Sequence, residues 1–142
     1  MALNTAPIYS GVGDIQWTTV MTAANISFDA TAANAYTVFT ASPSGSFIQR
    51  VRFKASGSAT SPTVARIFIN NGQTSASAAN NVLFDEITLP TTSPSTTAAT
   101  AVYEIPMNVA LPANYKILAT IAVAQTNNGW YASAVGGSYT TP

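Results

Sequence analysis

The chain has no cysteine and no histidine among its 142 residues. That removes disulfide staples, thiolate nucleophiles and the usual ligands of zinc, copper and iron sites. No serine can be paired with an imidazole base, and the only lysines are Lys54 and Lys116. Charge is almost as scarce. Five basic and five acidic residues make up 7% of the chain, with a formal net charge of zero, whereas an ordinary globular domain carries roughly 25%. A surface built instead from Ser, Thr, Asn and Ala offers little electrostatic resistance to association, which points to a subunit of an assembly. The opening MALNTAPIYSGVGD has no basic start and no continuous apolar stretch, so it does not read as a secretory signal. The longest apolar run, Ile117 to Ala124, falls far short of the roughly 20 residues of a membrane helix. The expectation is a soluble protein, made and used without export and with no membrane partner.

What is present has the periodicity of strands. In IQRVRFK the apolar Val51 and Phe53 alternate with Arg50, Arg52 and Lys54. In VYEIPMNVAL, Tyr103, Ile105, Met107, Val109 and Leu111 alternate with Glu104, Pro106 and Asn108. Period two puts one set of side chains inward and the other outward. Similar runs occur at Ile15 to Val20, Ile26 to Asp29, Tyr36 to Ala41, Val64 to Asn70, Val82 to Leu89, Tyr115 to Val123 and Trp130 to Val135, separated by turn formers such as SPSG, NNG and LPAN. Eight or nine short strands at near-regular spacing predict an all-β, antiparallel sandwich or barrel. QTSASAANNVLF lacks an amphipathic stripe and reads as a long loop with at most one helical turn; Pro90 to Ala101 reads as a second loop. Residues Met1 to Asp14 show no strand pattern, and the domain is read as 15–142 preceded by an extended arm with Ile8 and Tyr9 as anchors.

The basic residues are unevenly placed. Arg50, Arg52, Lys54 and Arg66, four of the five, lie between Phe47 and Gly72. If the two strands of that segment pair as a hairpin, the register that keeps Ile67 and Ile69 with Val51 and Phe53 gathers all four cations on one face. Like charges opposed across strands are destabilising. The repulsion can be relieved by solvent, by carboxylates such as Glu104, Glu86 and Asp85 from the same or a neighbouring subunit, or by a phosphorylated ligand or nucleic acid. Four cations without interleaved aromatics on a neutral chain make a thin footprint for nucleic acid, so the stripe is read as an interaction surface for protein. Adjacent Asp85 and Glu86 point to opposite faces of a strand and cannot act as one catalytic pair. Nothing in the sequence places two carboxylates at one cleft. The chain is read as a non-enzyme with no cofactor. Trp17, Trp130 and Tyr131 could stack on sugars, although aromatics at strand positions more often belong to a core.

From Tyr36 to the end, the succession VFTASPSGSFIQRVRFKASGSATSPTVARIFINNG, NNVLFDEITLP and ALPANYKILATIAVAQTNNGWYASAVGGSYT resembles small virion surface proteins of tailed bacteriophages. The resemblance covers about three-quarters of the chain and carries no catalytic signature. It implies a β-sandwich of jelly-roll type used as a capsid decoration or cement protein, commonly a homotrimer clamping adjacent major capsid subunits on the virion surface. The alternative is a receptor- or carbohydrate-binding domain of a tail fibre or spike, with Trp130 and Tyr131 in a shallow site.

Overall fold

A computed structural model describes residues 10–126 and 128–140. Eight strands follow in order: β1 (Ser10–Trp17), β2 (Tyr36–Thr40), β3 (Ser46–Ser56), β4 (Thr63–Asn70), β5 (Asn81–Leu89), β6 (Val102–Leu111), β7 (Lys116–Ile121) and β8 (Gly129–Tyr139). They form two four-stranded antiparallel sheets with the orders β1-β8-β3-β6 and β2-β7-β4-β5. Four pairings, β4 with β5, β3 with β6, β2 with β7 and β1 with β8, describe one long hairpin ribbon. Rolling that ribbon adds the β3–β8 and β4–β7 pairings and closes a jelly-roll sandwich. A short 3-10 turn at Ala78–Asn80 is the one regular helical piece among the described residues.

The inner faces carry the apolar half of each alternating strand. Ile48, Val51 and Phe53 from β3 meet Ala65 and Ile67 from β4, Ile105 and Met107 from β6, and Ile117, Ala119 and Ile121 from β7. Each large side chain so buried contributes about 1.5–3 kcal/mol relative to exposure. On β8 the inward sequence is Trp130, Ala132, Ala134, so one bulky ring is followed by two small residues. Trp130 packs edge-on against Tyr103, ring centroids 5.7 Å apart at 73°. Gly136 continues β8 where a β-carbon would collide with the Phe47 carbonyl oxygen, and only glycine allows β3 and β8 to approach there.

Two expectations are corrected. The run Ile26 to Asp29 is not a strand. It belongs to a strap, residues 18–35, that first runs on beside β8 as far as Met21 and then crosses the outer face of the second sheet before entering β2. The strap is tied down by Asn25 N–H to the Ile121 carbonyl at 2.8 Å and by Asn81 Nδ2 to the Asp29 carbonyl at 2.8 Å. Beneath it, outward-facing Phe68 and Leu118 join Ala30 in a small second core. Ile26 and Phe28 alternate like strand residues, yet both are exposed. Strand β1 also begins at Ser10, five residues before its apolar pattern does, because Gly13 and Asp14 pair with Gly137 and Gly136 of β8. Residues 1–9, with the proposed anchors Ile8 and Tyr9, lie outside the described residues.

Candidate interaction surface

The cationic hairpin does not form. Strands β3 and β4 follow one another in sequence but lie in different sheets, as the rolled ribbon requires, so the four cations are divided. Arg50, Arg52 and Lys54 stand on the outer face of the first sheet and Arg66 on the outer face of the second. The alternation within β3 is as expected, with Val51 and Phe53 inward.

On the first sheet, β6 supplies the counter-charge. Arg52 is opposite Glu104 in register, and its Nε lies 2.9 Å from Glu104 Oε1; Arg50 Nε is 3.9 Å from the same oxygen. Neither Nε–H makes a hydrogen bond, so the attraction is one of charge. All three side chains are about two-fifths exposed, and pairs of this kind contribute at most about 1 kcal/mol. Lys54 reaches only the Thr100 carbonyl, at 3.5 Å. Three cations against one carboxylate leave the face positive.

The same face carries an apolar row that sequence reasoning did not assemble. β1 is an edge strand, and its outward residues Ile15 and Trp17 are paired with Val135 and Ser133 of β8. Ser133 is paired in turn with Arg52, and Val135 with Arg50. One row therefore reads Trp17, Ser133, Arg52, Glu104, and the next Ile15, Val135, Arg50, Pro106. Trp17 is 69% exposed, and Ile15 and Tyr131 are also exposed. The signal in the sequence was the odd-numbered pattern Ile15, Trp17, which alone does not tell an inner from an outer face.

Trp130 and Tyr131 do not make a joint stacking site. They are consecutive on β8 and so point to opposite faces: Trp130 is wholly buried and Tyr131 is outside. The aromatic neighbours on the outer face are Tyr131 and Trp17, set diagonally across β8 and β1.

On the second sheet Arg66 is 7% exposed. Its Nε donates to Glu86 Oε2 at 3.0 Å, and its guanidinium carbon lies 4.1 Å from the centre of the Phe28 ring on the strap. The sequence named Glu86 as a possible partner and missed Phe28. The remaining carboxylates are scattered. Asp14 accepts hydrogen bonds from Ser138 and Gln16 at the rim of the first sheet. Asp29 accepts from the Thr31 hydroxyl at 2.6 Å and the Thr31 N–H at 3.1 Å, which holds its carboxyl below the ordinary value of 3.8. Asp85 is exposed on β5. Among the described residues no three acidic side chains come together as a metal site. A shallow polar cavity of about 230 Å³ is lined by Asn70, Gln73, Thr74, Ser75 and Lys116, at the end of the second sheet. Among the described residues no helix is long and apolar enough to cross a membrane.

Comparison with known proteins found no matching family model, no matching curated protein and no matching solved structure.

Proposed function

We propose that this chain is a structural protein whose work is to dock on other protein surfaces, and that its setting is the decoration of a bacteriophage capsid as a homo-oligomer bound across adjacent major capsid subunits. The observation that carries the docking reading is the outer face of the first sheet. Trp17, Ile15 and Tyr131 stand exposed beside Arg50, Arg52 and Lys54, so exposed aromatic side chains and three of the chain's five cations share one face. Aromatic side chains bordered by arginines are the composition of protein-binding hot spots. Catalysis finds less support, because Asp14, Asp29 and Glu104 lie on separate elements, adjacent Asp85 and Glu86 point to opposite faces of β5, and the lysines lie on different sheets. The phage setting rests on the sequence resemblance, with which the jelly-roll architecture is compatible; a fold alone does not assign a function.

The experiment is to mix the purified full chain with isolated phage heads and tails and to image them after labelling. Dense decoration of heads supports the proposal. Labelling confined to tails would favour a second reading, a fibre or spike domain that stacks sugars on the Trp17 and Tyr131 pair. Binding to neither would remove the phage setting.

A further inference from the structure

β5 carries a carboxylate where the fold provides for an apolar side chain. Asp85 is paired with Ile67 and Val82 with Ile69, so both stand on the side of the second sheet that faces the core. Ile67 is wholly buried, whereas Asp85 and Val82 are exposed, because β5 is an edge strand with a neighbour on one side only. Phe84, the extra residue of a β-bulge between them, is exposed as well. Among the described residues Asp85 takes part in no ion pair; its Oδ1 accepts the N–H of the next residue, Glu86, at 2.8 Å.

The other three sheet edges are closed by different means. β1 and β2 meet along one side of the sandwich, where Gln16 Nε2 donates to the Thr40 carbonyl at 3.1 Å and Gln16 Oε1 accepts the Thr40 N–H at 2.9 Å. A side chain thereby satisfies the edge groups of Thr40, and β2 is only five residues long with a bulge between Thr37 and Phe39. β6 contains Pro106, which has no N–H to offer, and a bulge beside Asn108, whose φ is 48°. β5 has a bulge but no proline, and among the described residues no side chain of another element bridges its free edge in this way. It runs for nine residues and includes Val82, Leu83, Phe84 and Ile87, the composition of a strand that adds to another.

We infer that Asp85 guards this edge: its charge keeps a strand of a second copy from being added to β5. An added strand would extend the core-facing side of the sheet and enclose the carboxylate among apolar side chains, with no cation beside it. Burying a charge in that way is costly enough to forbid the pairing. In the free protein the same carboxylate is hydrated and costs the fold little. Inward-pointing charges on edge strands act in this manner against edge-to-edge aggregation. The chain has no net charge to keep its copies apart, so the guard has to be local. The inference goes beyond the docking reading of the first sheet: that face is left free to bind while growth by strand addition is prevented, whether or not the chain decorates a capsid.

The test uses the full chain without capsids and two readouts, sedimentation over a concentration series and hydrogen exchange of the β5 amides that do not bond β4. Asp85→Val is expected to associate further than the wild type, at concentrations lower by at least about tenfold. The free β5 amides should become protected in that species, while those of β3 and β8 stay protected as in the wild type. Asp85→Lys keeps a charge at the position, of opposite sign, and is expected to behave as the wild type does. Asp85→Val combined with Val82→Asp moves the carboxylate along the same side of β5 and is expected to restore wild-type behaviour.

An Asp85→Val protein that sediments like the wild type with its β5 exchange unchanged overturns the inference. So does association accompanied by lost protection in β3 and β8, which is unfolding and not strand addition. The inference falls equally if Asp85→Lys or the double variant associates as Asp85→Val does, because then charge on that side of β5 is not what matters. Protection of the free β5 amides in an assembly of the wild type would show the edge to be an interface and would overturn it as well.

Discussion

The Arg66 guanidinium sits over the ring of Phe28, its carbon 4.1 Å from the ring centre. An exposed aromatic of the strap thus closes over a buried cation of the second sheet, whose other contact is Glu86 at 3.0 Å. The strap is fastened by this stack as well as by backbone bonds. Phe28→Ala is expected to cost about 0.5–2 kcal/mol in chemical denaturation, the range for a partly desolvated cation–π contact. It should also speed hydrogen exchange in residues 24–32 while leaving β3 and β8 protected.

Glu86→Gln tests the other side of the same cation. Arg66 keeps its charge but loses its one ionic partner, and its Nη1 already lacks a hydrogen bond. Leaving a buried charge unpaired costs roughly 3–5 kcal/mol. The Glu86 side chain is 41% exposed, so water already weakens the pair and the expected loss is about 1–3 kcal/mol. Arg52→Ala on the first sheet, where both partners are exposed, should change the same measurement by less than about 1 kcal/mol.

Much of the fold was legible from strand periodicity, and the cause of each failure is specific. Eight of the nine alternating runs are strands, because alternation records burial on one face and β3 and β6 bury theirs. The ninth run, at Ile26 and Phe28, has the same pattern with both residues exposed on the strap. Alternation within β3 and β4 matches the structure, but their pairing does not: the pattern of the two strands suits a hairpin, whereas the rolled ribbon sends them to opposite sheets and makes β4 and β5 the local pair. That error joined Arg66 to the other three cations. Alternation puts Glu104 on the polar face of its strand as one of several possible counter-charges, and in the structure it lies opposite Arg52. The apolar row of Ile15 and Trp17 was not foreseen as exposed, because which face of an edge strand looks outward depends on a sheet that the sequence does not display.

The strap also carries the clearest acid-sensitive group. Thr31 donates to Asp29 through its hydroxyl and its backbone N–H, which favours the ionised carboxyl and lowers its pKa below 3.8. A group whose pKa is lower when folded adds stability above its unfolded pKa and loses it as the pH falls through the folded one. The Thr31 amide resonance is therefore expected to titrate with a midpoint below the ordinary aspartate value. In Thr31→Val the Asp29 midpoint should move upward, and an unchanged midpoint would show that the hydroxyl does not act on the carboxyl.

The two tryptophans make the sharpest separation between fold and function. Trp130 is wholly buried and stacks edge-on with Tyr103, so Trp130→Ala should cost about 3–5 kcal/mol through lost contacts and a cavity that the sandwich cannot collapse. Trp17 is 69% exposed on an edge strand, so truncating it removes little buried area, and surface changes of that kind stay within about 0.5 kcal/mol. If the outer face of the first sheet is the docking surface, the order reverses when binding is measured. A central aromatic of an interface is worth about 2 kcal/mol or more, which is roughly a thirtyfold loss of affinity. Trp17→Ala is therefore expected to unfold at the wild-type denaturant concentration and to lose self-association, capsid binding or both by at least tenfold. Fluorescence distinguishes the two sites in the wild type: the Trp17 emission should be red-shifted and accessible to iodide, and assembly should shield it. A Trp17→Ala protein that assembles and decorates like the wild type would show that the exposed aromatic row has no binding role.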